Sequence, residues 1–255
     1  LVWFFEQFNA VFSSLNPTLK EYASQYGTPF YHSFFLFNAF FLVLTSFSLS
    51  EILTLKTFAK TSEVVKIIIH TFILLLITIT SYVLTPYDSP ALFLFAITVF
   101  FTLKYFEERK PQQLIIISAL IFISTLNRET SSLNIAFLGA LFLNKEILKK
   151  EKLQKFIRII ALPVFAFLLA YISVRIFMKT DEATVSEGIY LVQNLTKPNN
   201  LLGILFFIIF IRWTQKISSS QQNISKISAF LLLCSPYLLM ILMVGILWEI
   251  RLFIP

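Results

Sequence analysis

The sequence predicts an all-α protein, a polytopic transmembrane bundle of about eight apolar helices, some of them short or re-entrant. Three observations predict it. The first is composition: of 255 residues, 57% are hydrophobic, 14% are charged and 30 are phenylalanine, with a mean hydropathy of +0.78. Soluble domains carry about a quarter charged residues, and a chain this small cannot hide so much apolar surface from water. The second is the recurrence of apolar runs at 34–49, 67–84, 89–103, 114–126, 132–143, 159–177, 201–211 and 227–247. The third is the placing of the cations between those runs.

Composition also excludes whole classes. A soluble enzyme, a nucleic-acid-binding domain, a secreted disulfide scaffold and a disordered chain are all ruled out. In a soluble chain the net charge of +7 would suggest nucleic acid; here it belongs to loops, and the expected partner is the lipid bilayer. Oligomeric state is not legible. The single cysteine, Cys234, lies in an apolar run and can form neither an internal disulfide nor a metal cluster. His32 and His70 are far apart, so a histidine-based metal site is not expected. Neither a nucleotide-cradling glycine loop nor a serine nucleophile elbow is present. No cleavable signal sequence is visible. Leu1 opens the chain and Phe253-Ile254-Pro255 closes it inside an apolar run, so the expectation is a fragment of a longer protein, folded as one transmembrane domain over 1–255.

Taken in order, residues 1–33 form an outer-face segment. Trp3, Phe4, Phe5, Phe8 and Phe12 suit an interfacial helix there. The runs 34–49, 67–84 and 89–103 follow, each extended by flanking serine, threonine and aromatic residues. The runs 114–126, 132–143 and 201–211 are shorter than the roughly 20 residues a helical span needs, which fits a re-entrant or buried helix as well as a full crossing. The runs 159–177 and 227–247 are full length. Helices are the reading for all of them, because an isolated strand would leave its backbone unpaired in lipid. No period-two alternation runs over several segments, which argues against a β-barrel.

If all eight runs cross, the loops alternate sides. Loops 50–66, 104–113, 144–158 and 212–226 hold 15 cations, the opposite set holds 5, and Arg175 near a span end is the last. Lys and Arg concentrate on the cytoplasmic side. The first set is therefore expected inside, in the inner membrane of a bacterium, with both visible termini outside. That places Asp88, the 127–130 turn, the 178–200 loop and 248–251 on the outer face.

Asn127-Arg128-Glu129-Thr130 separates two short apolar runs. A charged pair there is costly unless paired or used. The planar fork of Arg128 fits a phosphate, so it can grip a lipid-linked phosphate or diphosphate; a solvated interfacial turn is the alternative. Asp88, before Pro90, suits a helix N-cap; its functional alternative is a carboxylate for a sugar hydroxyl, a metal or an acceptor. Glu249 and Arg251 follow Trp248. They are two apart, so on a helix they do not face each other, and an interfacial anchor is the alternative to a site. The 178–200 loop, with Asp181, Glu182, Glu187 and Tyr190, reads as a solvated connector more than an acceptor cap. Asn194-Leu195-Thr196 matches a glycosylation sequon weakly.

Three blocks in order carry a resemblance: Thr85-Pro86-Tyr87-Asp88-Ser89-Pro90, then Leu126-Asn127-Arg128-Glu129-Thr130, then Trp248-Glu249-Ile250-Arg251-Leu252-Phe253-Ile254-Pro255. Over roughly 80–255 the chain resembles uncharacterised bacterial polytopic proteins related to the GT-C superfamily of membrane glycosyltransferases. The resemblance implies a GT-C-like bundle and transfer of a sugar from a polyprenyl-phosphate-linked donor to an acceptor on the outer face. It implies a lipid-linked sugar as partner. The leaving phosphate needs cationic help or a divalent metal, and no other cofactor is implied. Arg128 is the expected phosphate contact, with Arg251 second. Asp88, Glu129 and Glu249, with Asn127 beside them, are candidates to orient substrate or hold that metal. That superfamily places its catalytic carboxylate in the first outer loop. Glu6 and Glu21 lie on the outer N-terminal segment but in no acidic pair, so the catalytic base stays unassigned. Two rivals remain open. A transporter or flippase of a lipid-linked saccharide calls for mid-span charges and repeat symmetry. A non-catalytic subunit of a polysaccharide assembly complex calls for outer polar residues that do not converge.

Overall fold

A computed structural model describes residues 2–25, 27–80, 88–143, 150–177, 190–218 and 220–244. Among these residues the chain is helical, without strands. The helices are α1 (Val2–Ser13), α2 (Pro17–Gln25), α3 (Pro29–Thr54), α4 (Glu63–Thr80), α5 (Asp88–Glu108) and α6 (Pro111–Asn127), then α7 (Ser132–Phe142), α8 (Lys150–Phe177), α9 (Leu191–Thr196), α10 (Pro198–Ile217) and α11 (Gln221–Val244). Each apolar run of the sequence falls on one of the helices, within the described residues.

Four of them are long and apolar enough to cross a membrane: Pro29–Thr54, Asp88–Glu108, Leu153–Phe177 and Gln221–Met243. α6 is a shorter apolar helix, and α7 has 11 residues. The helices outrun the apolar cores because local chemistry, not hydropathy, sets their ends. Thr28 caps α3 by accepting the Tyr31 N–H, and Pro29 stands at its first position. Pro111 and Pro198 open α6 and α10 in the same way. Proline is pre-set for that position and lacks the donor that would go unpaired there.

The surface pattern is inverted relative to a soluble helix. In α3 the buried positions are largely polar, Ser33, Asn38, Thr45 and Ser48, while Phe35, Phe40, Val43 and Phe47 are exposed. The buried polar groups are satisfied by their own helix: Asn38 donates to the Phe34 carbonyl, Thr45 to Phe41 and Ser48 to Leu44. Small polar residues let helix backbones approach closely in lipid, where apolar faces gain nothing by turning inward.

The chain divides into two compact units, 1–100 and 101–255. In the first, α1 lies against α3 through edge-on pairs, Phe4 with Phe37 at 5.6 Å and Phe5 with Phe30 at 5.4 Å between ring centroids. His32 Nε2 lies 3.0 Å from the Ala23 carbonyl, which ties α2 to α3. Ser46 Oγ and His70 Nε2 meet at 3.0 Å between α3 and α4, so both histidines have structural partners. In the second unit, α6 packs on α8 and α7 on α11, around buried Tyr105, Ile117, Ile121 and Leu138. Gly139 makes this packing close: a Cβ there would stand 2.8 Å from Leu233 Cδ1 and 3.2 Å from Ile160 Cδ1.

Candidate functional site

The 127–131 turn is built from below. α6 ends at Asn127, and Arg128 is extended, with its N–H donating to the Ser124 carbonyl at 2.7 Å. Glu129–Ser131 form a single 3-10 turn that leads into α7. Beneath it, the Thr125 hydroxyl donates to the Ile121 carbonyl at 2.7 Å. Ser131 Oγ lies 2.7 Å from Thr125 Oγ1. A hydroxyl has one proton, and Thr125 has committed its own, so Ser131 is the donor. Thr130 and Ser131 are buried, whereas Glu129 is exposed.

Above the turn, Arg175 Nη2 of α8 donates to Glu129 Oε1 at 2.9 Å, with both side chains about half exposed. The Arg175 guanidinium also lies over the Tyr171 ring, 5.3 Å from its centroid. Arg128 is half-buried and within electrostatic reach of Tyr237 on α11. One end of the second unit therefore gathers two guanidinium groups and one carboxylate. Exposed pairs of this kind contribute only about 0.2–1 kcal/mol, so they do little to hold the fold. One turn into α7, Asn134 is 1% exposed. Neither of its carboxamide atoms has a hydrogen-bond partner among the described residues. Buried polar groups are nearly always paired, so an unpaired carboxamide at this end calls for an explanation.

The sequence candidates distribute unevenly. Asn127, Arg128 and Glu129 lie together here. Asp88 belongs to the first unit, where it opens α5; a carboxylate suits the positive end of a helix dipole. Glu249 and Arg251 lie outside the described residues. Among the described residues no three His, Cys, Asp or Glu side chains gather as a metal site. Arg175, Tyr171 and Asn134 were missed by the sequence reading. Only the four-residue spacing of Tyr171 and Arg175, one helical neighbourhood, offered a signal.

The described end of the 178–200 loop is exposed at Val192 and over 195–199 but anchored at two buried asparagines, Asn194 and Asn200. Asn194 is fully buried. Its Nδ2 donates to the Leu242 carbonyl at 2.9 Å and its Oδ1 accepts from Asn200 Nδ2 at 3.1 Å. The Tyr190 N–H donates to the Met243 carbonyl. These bonds clip α9 and α10 to the end of α11, and they leave the sequon amide inaccessible to a glycosylating enzyme. In the first unit, a cavity of about 240 Å³ lies among Asn38, Leu42 and Thr45 of α3, Ile77 and Thr78 of α4, and Leu92 of α5. Its threonine protons are spent on the carbonyls of Phe41 and Leu74, so it presents a largely apolar wall.

The helices and the inverted surface define a helical, multi-pass membrane protein. No protein family, curated protein or solved structure matches the chain.

Proposed function

We propose that the chain is a GT-C-like membrane transferase with about eight membrane helices. It moves a sugar from a polyprenyl-phosphate-linked donor to an acceptor on the outer face of a bacterial inner membrane. The sequence resemblance motivates this reading. The observation that carries it furthest is the Glu129–Arg175 pair on the turn that also holds Arg128, at one end of the second unit, with the buried, unpaired carboxamide of Asn134 one turn further along the chain. A phosphate ester carrying a polar sugar matches both features.

In this reaction the acceptor oxygen attacks the anomeric carbon, and its proton passes to a carboxylate base. The bond from that carbon to the phosphate oxygen breaks, and polyprenyl phosphate leaves with the electron pair. Charge grows on the leaving phosphate, and a guanidinium placed there stabilises the transition state more than the ground state. Arg128 has that role, with Arg251 as the second cation. Glu129 holds Arg175 in position. Asn127 and Glu249 are the remaining substrate-orienting groups of this unit, and any divalent metal there would take its ligands from Glu129 and Glu249. The base is unassigned.

The test is transfer of a labelled sugar from polyprenyl phosphate in proteoliposomes. Arg128→Gln is expected to lower the rate by about 100-fold or more, as loss of one transition-state donor does. Asn134→Leu is expected to lower transfer while leaving thermal stability unchanged or raised, since it removes an unpaired buried polar group. Full transfer in Arg128→Gln and Arg175→Gln, at normal expression, would sink the site. Movement of the intact donor lipid across the bilayer without sugar transfer would replace the reading with a flippase.

A further inference from the structure

The opposite end of the second unit carries a second charged cluster, built on aromatic rings. α5 ends at Glu108, and α6 begins at Pro111. Between them Arg109 takes a left-handed backbone, φ 58°, a conformation that favours glycine. Its guanidinium carbon lies 4.2 Å from the centroid of Phe142, at the end of α7, and 5.2 Å from that of Phe106. From α11, Lys226 Nζ lies 4.6 Å from the Phe106 centroid. The two rings meet edge to face at 5.6 Å. Three helices thus bring two cations to one aromatic pair.

Two carboxylates precede Arg109, Glu107 and Glu108, and Glu108 is committed elsewhere. Glu108 Oε2 pairs with Lys110 at 2.8 Å and accepts from Gln113 at 2.9 Å. Among the described residues, no carboxylate pairs with Arg109 or Lys226. Two cations without a carboxylate partner among the described residues therefore stand at this bundle end, where the early turns of α6 expose Ile115 and Ile116. A cation over a ring loses little of its capacity to bind an anion, because a guanidinium keeps its in-plane donors. The rings also fix the side chains beforehand, so less conformational freedom is lost when a ligand arrives.

We propose that Arg109 and Lys226, braced on Phe106 and Phe142, bind the headgroup phosphate of an anionic phospholipid. Charge complementarity selects the phosphate, and the exposed Ile115 and Ile116 one turn along α6, on a chain with helices long and apolar enough to cross a membrane, favour a lipid over a soluble anion. Basic pockets between membrane helices take anionic headgroups in this way. The strained backbone at Arg109 fits the same account: glycine would sit there without strain, and arginine supplies the charge. The site does not rest on the transferase reading; only its assignment to the cytoplasmic leaflet rests on the topology read from the sequence.

The experiment titrates the detergent-solubilised chain with dioleoylphosphatidylglycerol and, separately, with dioleoylphosphatidylcholine, counting bound lipid by native mass spectrometry. Two interfacial cations should favour the anionic lipid by about 25-fold, roughly fivefold each. Arg109→Gly with Lys226→Gln should bring the two lipids to parity, and the glycine suits the turn, so the variant should fold. A circular-dichroism melt checks that it does. Arg109→Lys keeps the charge and should keep part of the preference. Lys20→Gln, exposed on α2, should retain all of it. The proposal is overturned if the double variant keeps the preference or if Lys20→Gln loses as much. It is overturned too if millimolar inorganic phosphate displaces the lipid, which would mark a soluble-anion site.

Discussion

At the scale of single residues, the sequence shows charges but not their partners. Arg128 and Glu129 stand out because they interrupt two apolar runs, and the structure gathers them with Asn127 at one bundle end. Arg175 does not stand out, because its partner lies 46 residues away and no local spacing encodes that distance. Asn194 shows the opposite failure. Its sequence context suggests an exposed modification site, whereas folding buries it. It is also the residue whose loss should cost most. Asn194→Ala removes one donor and one acceptor at once, leaving the Leu242 carbonyl and the Asn200 amide unpaired where water does not reach. Each such orphan costs about 1–3 kcal/mol, so the variant should lose about 2–6 kcal/mol. A thermal melt in detergent reads this directly. A melt indistinguishable from the parent would mean that the α9–α11 clip contributes nothing to stability. Asn200→Ala, which removes only the bond to Asn194 Oδ1, should cost less than Asn194→Ala.

At the scale of helices, hydropathy locates the element and capping chemistry sets its length. The run 34–49 becomes Pro29–Thr54 because Thr28 and Pro29 start it earlier than the first phenylalanine run suggests. What hydropathy cannot show is which face turns inward, since both faces of a membrane helix can be apolar. Here the small and polar positions decide it, and Gly139 is the sharpest case. Its neighbour Leu233 Cδ1 is the end of a flexible side chain. Alanine at this position asks Leu233 to give way by a few tenths of an ångström but gains about 1 kcal/mol of helix propensity over glycine. Gly139→Ala should therefore be close to neutral. Gly139→Leu offers no such balance: the added methylenes meet α8 and α11 together, and overpacking costs about 1–3 kcal/mol or more. Parallel melts of the two variants decide the matter. Equal melting of both would mean that α7 does not approach its neighbours closely.

At the scale of the whole chain, the asymmetry of cations is legible in the sequence, and the alternation of sides drawn from it is a prediction; contacts within the second unit show which chain ends are neighbours. The α6–α7 turn meets the end of α8 through Glu129 and Arg175, and α9 meets the end of α11 through Asn194 and Leu242. The α5–α6 turn instead meets the end of α7 and the start of α11 through Phe142 and Lys226. Chain ends that the charge rule assigns to one side are thus neighbours in space. The division into two units had no signature in the sequence, because it depends on which helices touch and not on their hydropathy. If the charge rule holds, single cysteines at Lys20 and Lys197 should react with a membrane-impermeant maleimide in intact cells. Cysteines at Lys56 and Lys216 should react only after permeabilisation. All four parent residues are exposed, so accessibility within the protein does not limit the reaction. The native Cys234 is buried and should give little background. The positions alternate along the chain, which makes the outcome specific. If Lys20 and Lys197 label from opposite sides, the number of crossings between them is odd, and one of the short runs 114–126 or 132–143 is re-entrant; if Lys197 and Lys216 label from the same side, the run 201–211 is re-entrant. If all four are inverted together, the crossings stand but the orientation is reversed. The Arg128–Glu129–Arg175 end would then face the cytoplasm, and outer-face sugar transfer would have to be abandoned.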